Sequence, residues 1–213
     1  MKKFKLIGGD ASLDFVNTVN GRISSPNKKT GRDYYDAFPS DKLESYADLI
    51  AWTLKAGLVD EKEAKKLLLI AEDKPQAAGA VFKRALNLRE SVYRLFKSAI
   101  EGWQPEAKDL EKLNRELSLA RRHQKLSAAG NGFVVEWIDR AGTLDSMLWQ
   151  ISELAAEMLL RGDLTRIRRC GNDVCNWLFL DTSRNRSRQW CDMKDCGNLA
   201  KIRRFRQRHQ QKM

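Results

Sequence analysis

Four cysteines, Cys170, Cys175, Cys191 and Cys196, fall within one 27-residue window, and the 169 residues before it contain none. Two Cys-x4-Cys pairs separated by fifteen residues are placed to bring four thiolates to the corners of a tetrahedron, the closed geometry of a structural Zn²⁺ site. Clustering of this kind marks a local site rather than scattered core thiols. In a chain of cytosolic character such pairs are metal ligands more often than disulfides. The cofactor expected is one structural zinc ion. A catalytic zinc keeps an open position and uses His or carboxylate ligands, whereas four cysteines close the shell. Trp177-Leu178-Phe179-Leu180 and Trp190 supply the small apolar floor that a metal must supplement in a short module. The segment between the pairs reads as a hairpin. Asp192 reads as the N-cap of a final helix with Leu199, Ile202 and Phe205 facing inward, the plan of a treble-clef finger.

The formal net charge is +11. Residues 161–213 hold 14 Lys or Arg against 5 Asp or Glu, a net +9, which leaves +2 for residues 1–160. A basic excess confined to one module favours a polyanion. Arg184, Asn185, Arg186 and Arg188 cluster at the expected hairpin turn, and Lys201, Arg203, Arg204, Arg206 and Arg208 lie on the final helix. These are the candidate DNA-binding residues, with duplex DNA as the expected partner and RNA or a docked protein as the alternatives. No apolar run approaches the ~20 residues of a membrane helix, and no signal-peptide core develops after Ile7. A cytoplasmic, nucleoid-associated protein without a membrane partner is the expectation.

The preceding residues read as a mainly helical domain with one small β-hairpin, over 1–162, followed by the finger over 166–213. Leu13, Phe15, Val16 and Val19 give a short helical face, and Gly21 to Tyr35 reads as a loop. Leu43, Ala47, Ile50 and Leu54 predict a helix from Ser40 to Gly57. Asp60 caps the next, with Glu63 reaching back and Ala64, Leu67, Leu68 and Ala71 inward. Pro75 opens a third helix whose stripe of Val81, Ala85, Leu88, Val92, Leu95, Phe96 and Ala99 ends before Gly102. A fourth runs from Pro105 to Arg121-Arg122. The Gly130-Asn131-Gly132 turn before Phe133-Val134-Val135 predicts a hairpin, and a fifth helix spans about 143–162.

On these residues the chain resembles the CGNR zinc-finger proteins: Phe179-Leu180-Asp181-Thr182-Ser183, the basic run from Arg184 to Arg188, Arg188-Gln189-Trp190-Cys191 and Cys196-Gly197-Asn198. The N-terminal part is similar to that family's companion ABATE domain through Leu13-Asp14-Phe15-Val16-Asn17-Thr18 and Asp48-Leu49-Ile50-Ala51-Trp52. The resemblance implies a bacterial stress-responsive transcription regulator in which the finger binds DNA and the helical domain senses a small effector or a protein partner. Leu199 stands where the family usually has Arg, so a position-specific contact by that arginine is not carried over.

Asp14 and Asn17 are three apart, and with Arg22 and Trp52 they are the candidate ligand-binding residues of a sensor pocket. The alternative is that Asp14 and Asn17 satisfy backbone groups at a helix end or turn. An enzyme is not expected: the chain has no phosphate-binding glycine loop, no Gly-x-Ser-x-Gly elbow and no His-Glu-x-x-His.

Overall fold

The computed structural model describes residues 4–22, 40–172 and 174–210. The expected loop from Gly21 to Tyr35 lies mostly outside the described residues. Contacts divide the chain into two compact units, one built from Leu43–Leu164 and the other from Lys5–Lys42 together with Thr165–Met213.

The first unit is helical: α2 (Tyr46–Lys55), α3 (Glu61–Asp73), α4 (Pro75–Glu101), α5 (Ala107–Arg122) and α6 (Ser146–Arg161). Local signals set their ends. Ser45 accepts from the Asp48 amide and Asp60 from the Glu63 amide, each satisfying a free donor of the first turn. Glu63 does not reach back to close a capping box; its carboxylate accepts from the Gly142 amide at 3.0 Å. Pro75 occupies the first turn of α4, and Gly102 ends it in the left-handed region at φ 71°.

α4, at ~1.5 Å per residue about 40 Å long, packs against α2, α3, α5 and α6. Its stripe of Ala85, Leu88, Val92 and Phe96 is buried with Leu49, Trp52, Leu67, Met147, Leu148 and Trp149. α5 is fixed to α4 by two charge clusters. Arg84 donates to both Glu116 oxygens, at 3.1 and 2.6 Å, and to Asp145 at 2.9 Å. Arg94 forks onto Asp109, which also accepts from Ser91 and is held below the usual carboxylate range by these bonds.

The expected face of α2 is rotated. Tyr46, Leu49, Ile50, Trp52 and Thr53 are buried while Ala47 and Leu54 are exposed, and the helix begins at Tyr46 rather than at Ser40. β3 (Gln124–Ala129) and β4 (Gly132–Trp137) form the hairpin around Gly130-Asn131.

The second unit joins the two ends of the sequence. α1 (Ala11–Val16) is capped by Asp10, and a short ladder of β1 (Val19–Asn20) and β2 (Ser40–Asp41) follows. Val19, expected on the helix, is therefore a strand residue. β5 (Ile167–Arg169) pairs antiparallel with β6 (Leu178–Leu180), a wide turn of π-helix spans Met193–Gly197, and α7 runs Asn198–Gln210.

Two expectations about this unit are corrected. The hairpin is not made from the segment between the cysteine pairs; β6 pairs backward with β5, so the first pair lies in the connection between these strands and residues 181–190 are an irregular loop. That choice places apolar Ile167 opposite Leu180, both packed inward or nearly so. Leu199, Ile202 and Phe205 do not face inward either: they are 47%, 48% and 57% exposed. The half-buried positions of α7 are Ala200 and Arg203, because Arg203 is drawn to Asn172 at 3.0 Å and turns the apolar stripe outward.

Candidate metal centre

The four Sγ atoms all lie within 4.8 Å of one another. The Cys175–Cys191 and Cys191–Cys196 separations are 3.6 and 3.7 Å. A tetrahedral Zn²⁺ with Zn–S bonds of about 2.3 Å requires S···S distances of about 3.8 Å, so the cluster has the dimensions of that site.

The electrostatics agree. Hydrogen bonds from the neighbouring thiols pull the Cys170 thiol far below the ordinary range, while the Cys170 sulfur pushes those of Cys175 and Cys191 up. The Cys196 thiol is lowered as well, so four bare thiols favour ionisation at Cys170 and Cys196 and resist it at Cys175 and Cys191. A bound dication is the chemistry that lets all four become thiolates. Two N–H groups are aimed at the sulfurs, from the Cys191 amide to Cys170 at 3.5 Å and from the Asn172 side chain to Cys196 at 3.4 Å. The four cysteines can hold one zinc ion in a closed shell.

The surroundings are built to this centre. Cys170, Cys191 and Cys196 share a buried cluster with Trp177 and Phe179, against which Ile7 and Trp190 pack. Gly197 is closely covered: a Cβ there would sit 3.0 Å from Met193 Sδ and 3.3 Å from the Trp190 ring, so these neighbours would have to give by a few tenths of an ångström. Asp181, fully buried, accepts from the Ser183 amide and hydroxyl and from the Arg188 amide, which organise the basic loop and hold its carboxyl below the usual range.

Arg188, one of the candidate DNA-binding residues, is occupied within the finger. Its guanidinium lies 4.3 Å over the Phe179 ring and donates to the Trp190 and Cys191 carbonyls. Arg203 is likewise turned to Asn172. Arg186 donates to the Thr165 hydroxyl at 3.1 Å but remains exposed, as do Arg184, Asn185, Lys201, Arg204, Arg206 and Arg208.

The proposed sensor residues are divided between the units. Trp52 is fully buried in the helical unit, whereas Asp14, Asn17 and Arg22 belong to the unit that contains the cysteines. Asn17 does strand-like work there. The Cys170 amide bonds the Trp177 carbonyl, so the alternation of an antiparallel ladder turns Leu178's own N–H and C=O away from β5. Asn17 takes both, donating to Leu178 O at 2.7 Å and accepting from Leu178 N at 2.9 Å. Gly8 O accepts the next outward amide, Leu180 N, at 2.7 Å. The Trp177 indole donates to Val19 O at 2.8 Å, and Asn176 donates to Arg22 O. Arg22 itself donates to Val16 O at 3.1 Å. The alternative that Asp14 and Asn17 satisfy backbone groups is what the structure shows, but sequence reasoning placed those groups at a local helix end or turn and missed the edge of β6. Its signal was the pair of short polar residues Asp14 and Asn17 in an otherwise apolar Leu13-to-Val19 run, which have no use on a buried helix unless backbone groups meet them.

Asp14 Oδ1 accepts from the amides of Ile7 and Gly8 at 2.8 and 2.7 Å. Burial nevertheless pushes its carboxyl up to about 6 from 3.8. The unfolded chain releases this proton at lower pH than the folded one, so stability falls as pH rises from about 4 to about 6 and is flat above, by about 2–3 kcal/mol. Asp14→Asn keeps an oxygen for both amides and cannot ionise. The variant is expected to lack this loss, and urea midpoints of both proteins from pH 4 to pH 7 check it through their difference.

The comparisons divide the chain along the sequence, and the first match runs across the boundary between the two units. Residues 9–162 match the ABATE family model, described as "Putative stress-induced transcription regulator", and residues 166–209 match the CGNR zinc finger. No curated protein matches the chain. Among the described residues no helix is long and apolar enough to cross a membrane. With a matching model over most of its length and four cysteines set at zinc-site spacing, the chain belongs to the ABATE family and carries a CGNR zinc finger.

Proposed function

We propose that this protein is a transcription regulator that binds duplex DNA through the basic face of its zinc-bearing unit. The observation that carries the reading is the placement of charge. Residues 165–213 hold 13 Lys or Arg against 4 Asp or Glu, while residues 43–164 hold 18 against 19. The excess is thus confined to the unit whose loop and helix the cysteines tie together. Arg184 and Arg186 on the loop and Lys201, Arg204, Arg206 and Arg208 on α7 are exposed, and α7 contains no acidic residue. A rigid pair of basic surfaces gives both attraction to phosphates and a fixed register, which a free basic tail does not. Arg188 and Arg203 support the finger instead of contacting the duplex.

Each phosphate neutralised contributes about −0.9 to the slope of log affinity against log salt, so six contacts give about −5. Changing Lys201, Arg204 and Arg208 together to Gln is expected to weaken binding to all sequences alike and to flatten that slope by about 3. Titration of zinc-loaded protein into labelled duplex between 50 and 200 mM salt measures both. Unchanged affinity at the lowest salt would remove DNA from the proposal. The near-neutral helical unit is the part of the chain we assign to an effector or partner. Its own core, rather than Asp14, Asn17 or Arg22, is where thermal stabilisation by a ligand would be sought.

A further inference from the structure

We infer that α7 enters the major groove with an apolar strip that reads thymine methyl groups, an inference that rests on the DNA-binding reading above. The helix has three distinct sides. Arg203, bonded to Asn172, which in turn bonds Cys196, and half-buried Ala200 mark the side toward the finger. At 3.6 residues per turn Ile202, Phe205 and His209 lie on the opposite side, while Leu199, in the first turn, falls between Arg206 and Arg203. Leu199, Ile202 and Phe205 are each about half exposed, and the Phe205 ring rests on His209 with centroids 4.3 Å apart. The metal centre therefore presents an apolar strip outward, not toward its own core.

Charge identifies the occupant. Lys201, Arg204 and Arg208 line one flank of the strip and Arg206 the other, all exposed and with no acidic residue in the helix. An apolar centre line with a cationic row on one flank and an arginine on the other is complementary to a groove with an uncharged floor and two anionic rims. The major groove of a duplex repeats that cross-section along its length, is about 12 Å wide and admits one helix. Its floor offers one apolar feature, the C5-methyl of thymine. Aliphatic and aromatic side chains facing that floor gain by covering methyls and gain nothing from cytosine or guanine edges. The preference expected is for sites with thymine at two or more positions along one helical face.

The test uses the zinc-loaded full chain. Duplexes selected from a short random pool are resynthesised with deoxyuridine in place of thymine, which removes the methyl and leaves every hydrogen-bonding group. Affinity at matched salt is expected to fall about fourfold for each methyl covered. Ile202→Ser and Phe205→Ser, checked for unchanged zinc content, are expected to bind the two forms alike. Equal binding of both forms by the unaltered protein, with a steep salt slope, would overturn methyl readout and leave DNA binding standing. Variants that keep the full discrimination, or that leave duplex affinity untouched, would also overturn it and assign the strip to a protein partner. Absence of duplex binding at low salt would remove both the inference and the reading beneath it.

Discussion

Cys191→Ser is expected to purify without stoichiometric zinc and with its second unit unfolded, including the N-terminal residues 5–22. A structural zinc contributes about 10–16 kcal/mol of apparent free energy, which equals or exceeds the whole stability of an ordinary domain at about 5–15 kcal/mol. No remaining contact offsets a loss of that size. The cluster around the metal consists of Trp177, Phe179 and the cysteines, with Ile7 and Trp190 at its margin. Residues 43–164 contain their own buried core and are expected to stay helical. Metal analysis together with hydrogen exchange checks both halves of the result. Zinc loss with full protection retained at Leu13 to Val19 would contradict a shared unit.

Asn17→Ala is expected to cost about 2–6 kcal/mol and to lower zinc affinity, although the residue lies 153 positions before the first cysteine. The substitution strands the Leu178 amide and carbonyl, which are buried and directed away from β5. Each unpaired group costs about 1–3 kcal/mol. Asn17→Asp is the sharper comparison. Its carboxylate can accept from Leu178 N–H but faces the Leu178 carbonyl with a second acceptor, so it should be at least as destabilising near neutral pH and recover in acid as it gains a proton. Zinc competition against a chelator reads the coupling. An Asn17→Ala protein with unaltered zinc affinity would mean that the N-terminal edge does not support the finger.

What the sequence disclosed was whatever is encoded within a few residues. Asp60, Pro75 and Gly102 delimit their helices by capping and backbone geometry that act inside one turn, and the periodic stripe of α4 is buried from Val81 to Phe96 as its spacing predicts, while Ala99, expected at its end, is exposed. The cysteine pairs were legible for the same reason, because ligand spacing is a local property. The outer edge of β6 was not. Its partners, Gly8 and Asn17, come from the far end of the chain, and no periodicity in either segment names the other. β5 was missed because Ile167-Arg168-Arg169 is three residues long and two of them are charged, too short for alternation to register. The stripe of Leu199, Ile202 and Phe205 shows the opposite failure. Its spacing is that of a core-facing helix, but helical periodicity states only that three side chains share a side. Which side meets the finger was decided by Arg203 and Asn172, 31 residues apart.

The pairing of Asn17 with Leu178 spans 161 residues and sets an order of events during synthesis. At about 5–20 residues per second, some 8–30 s pass between the emergence of α1 and that of the strand that completes it. Leu13, Phe15 and Val16, all fully buried in the finished unit, wait through that interval without their partner. The helical unit encoded between them can form in the meantime from contacts already made. The finger thus emerges long after α1 and closes the unit that α1 began.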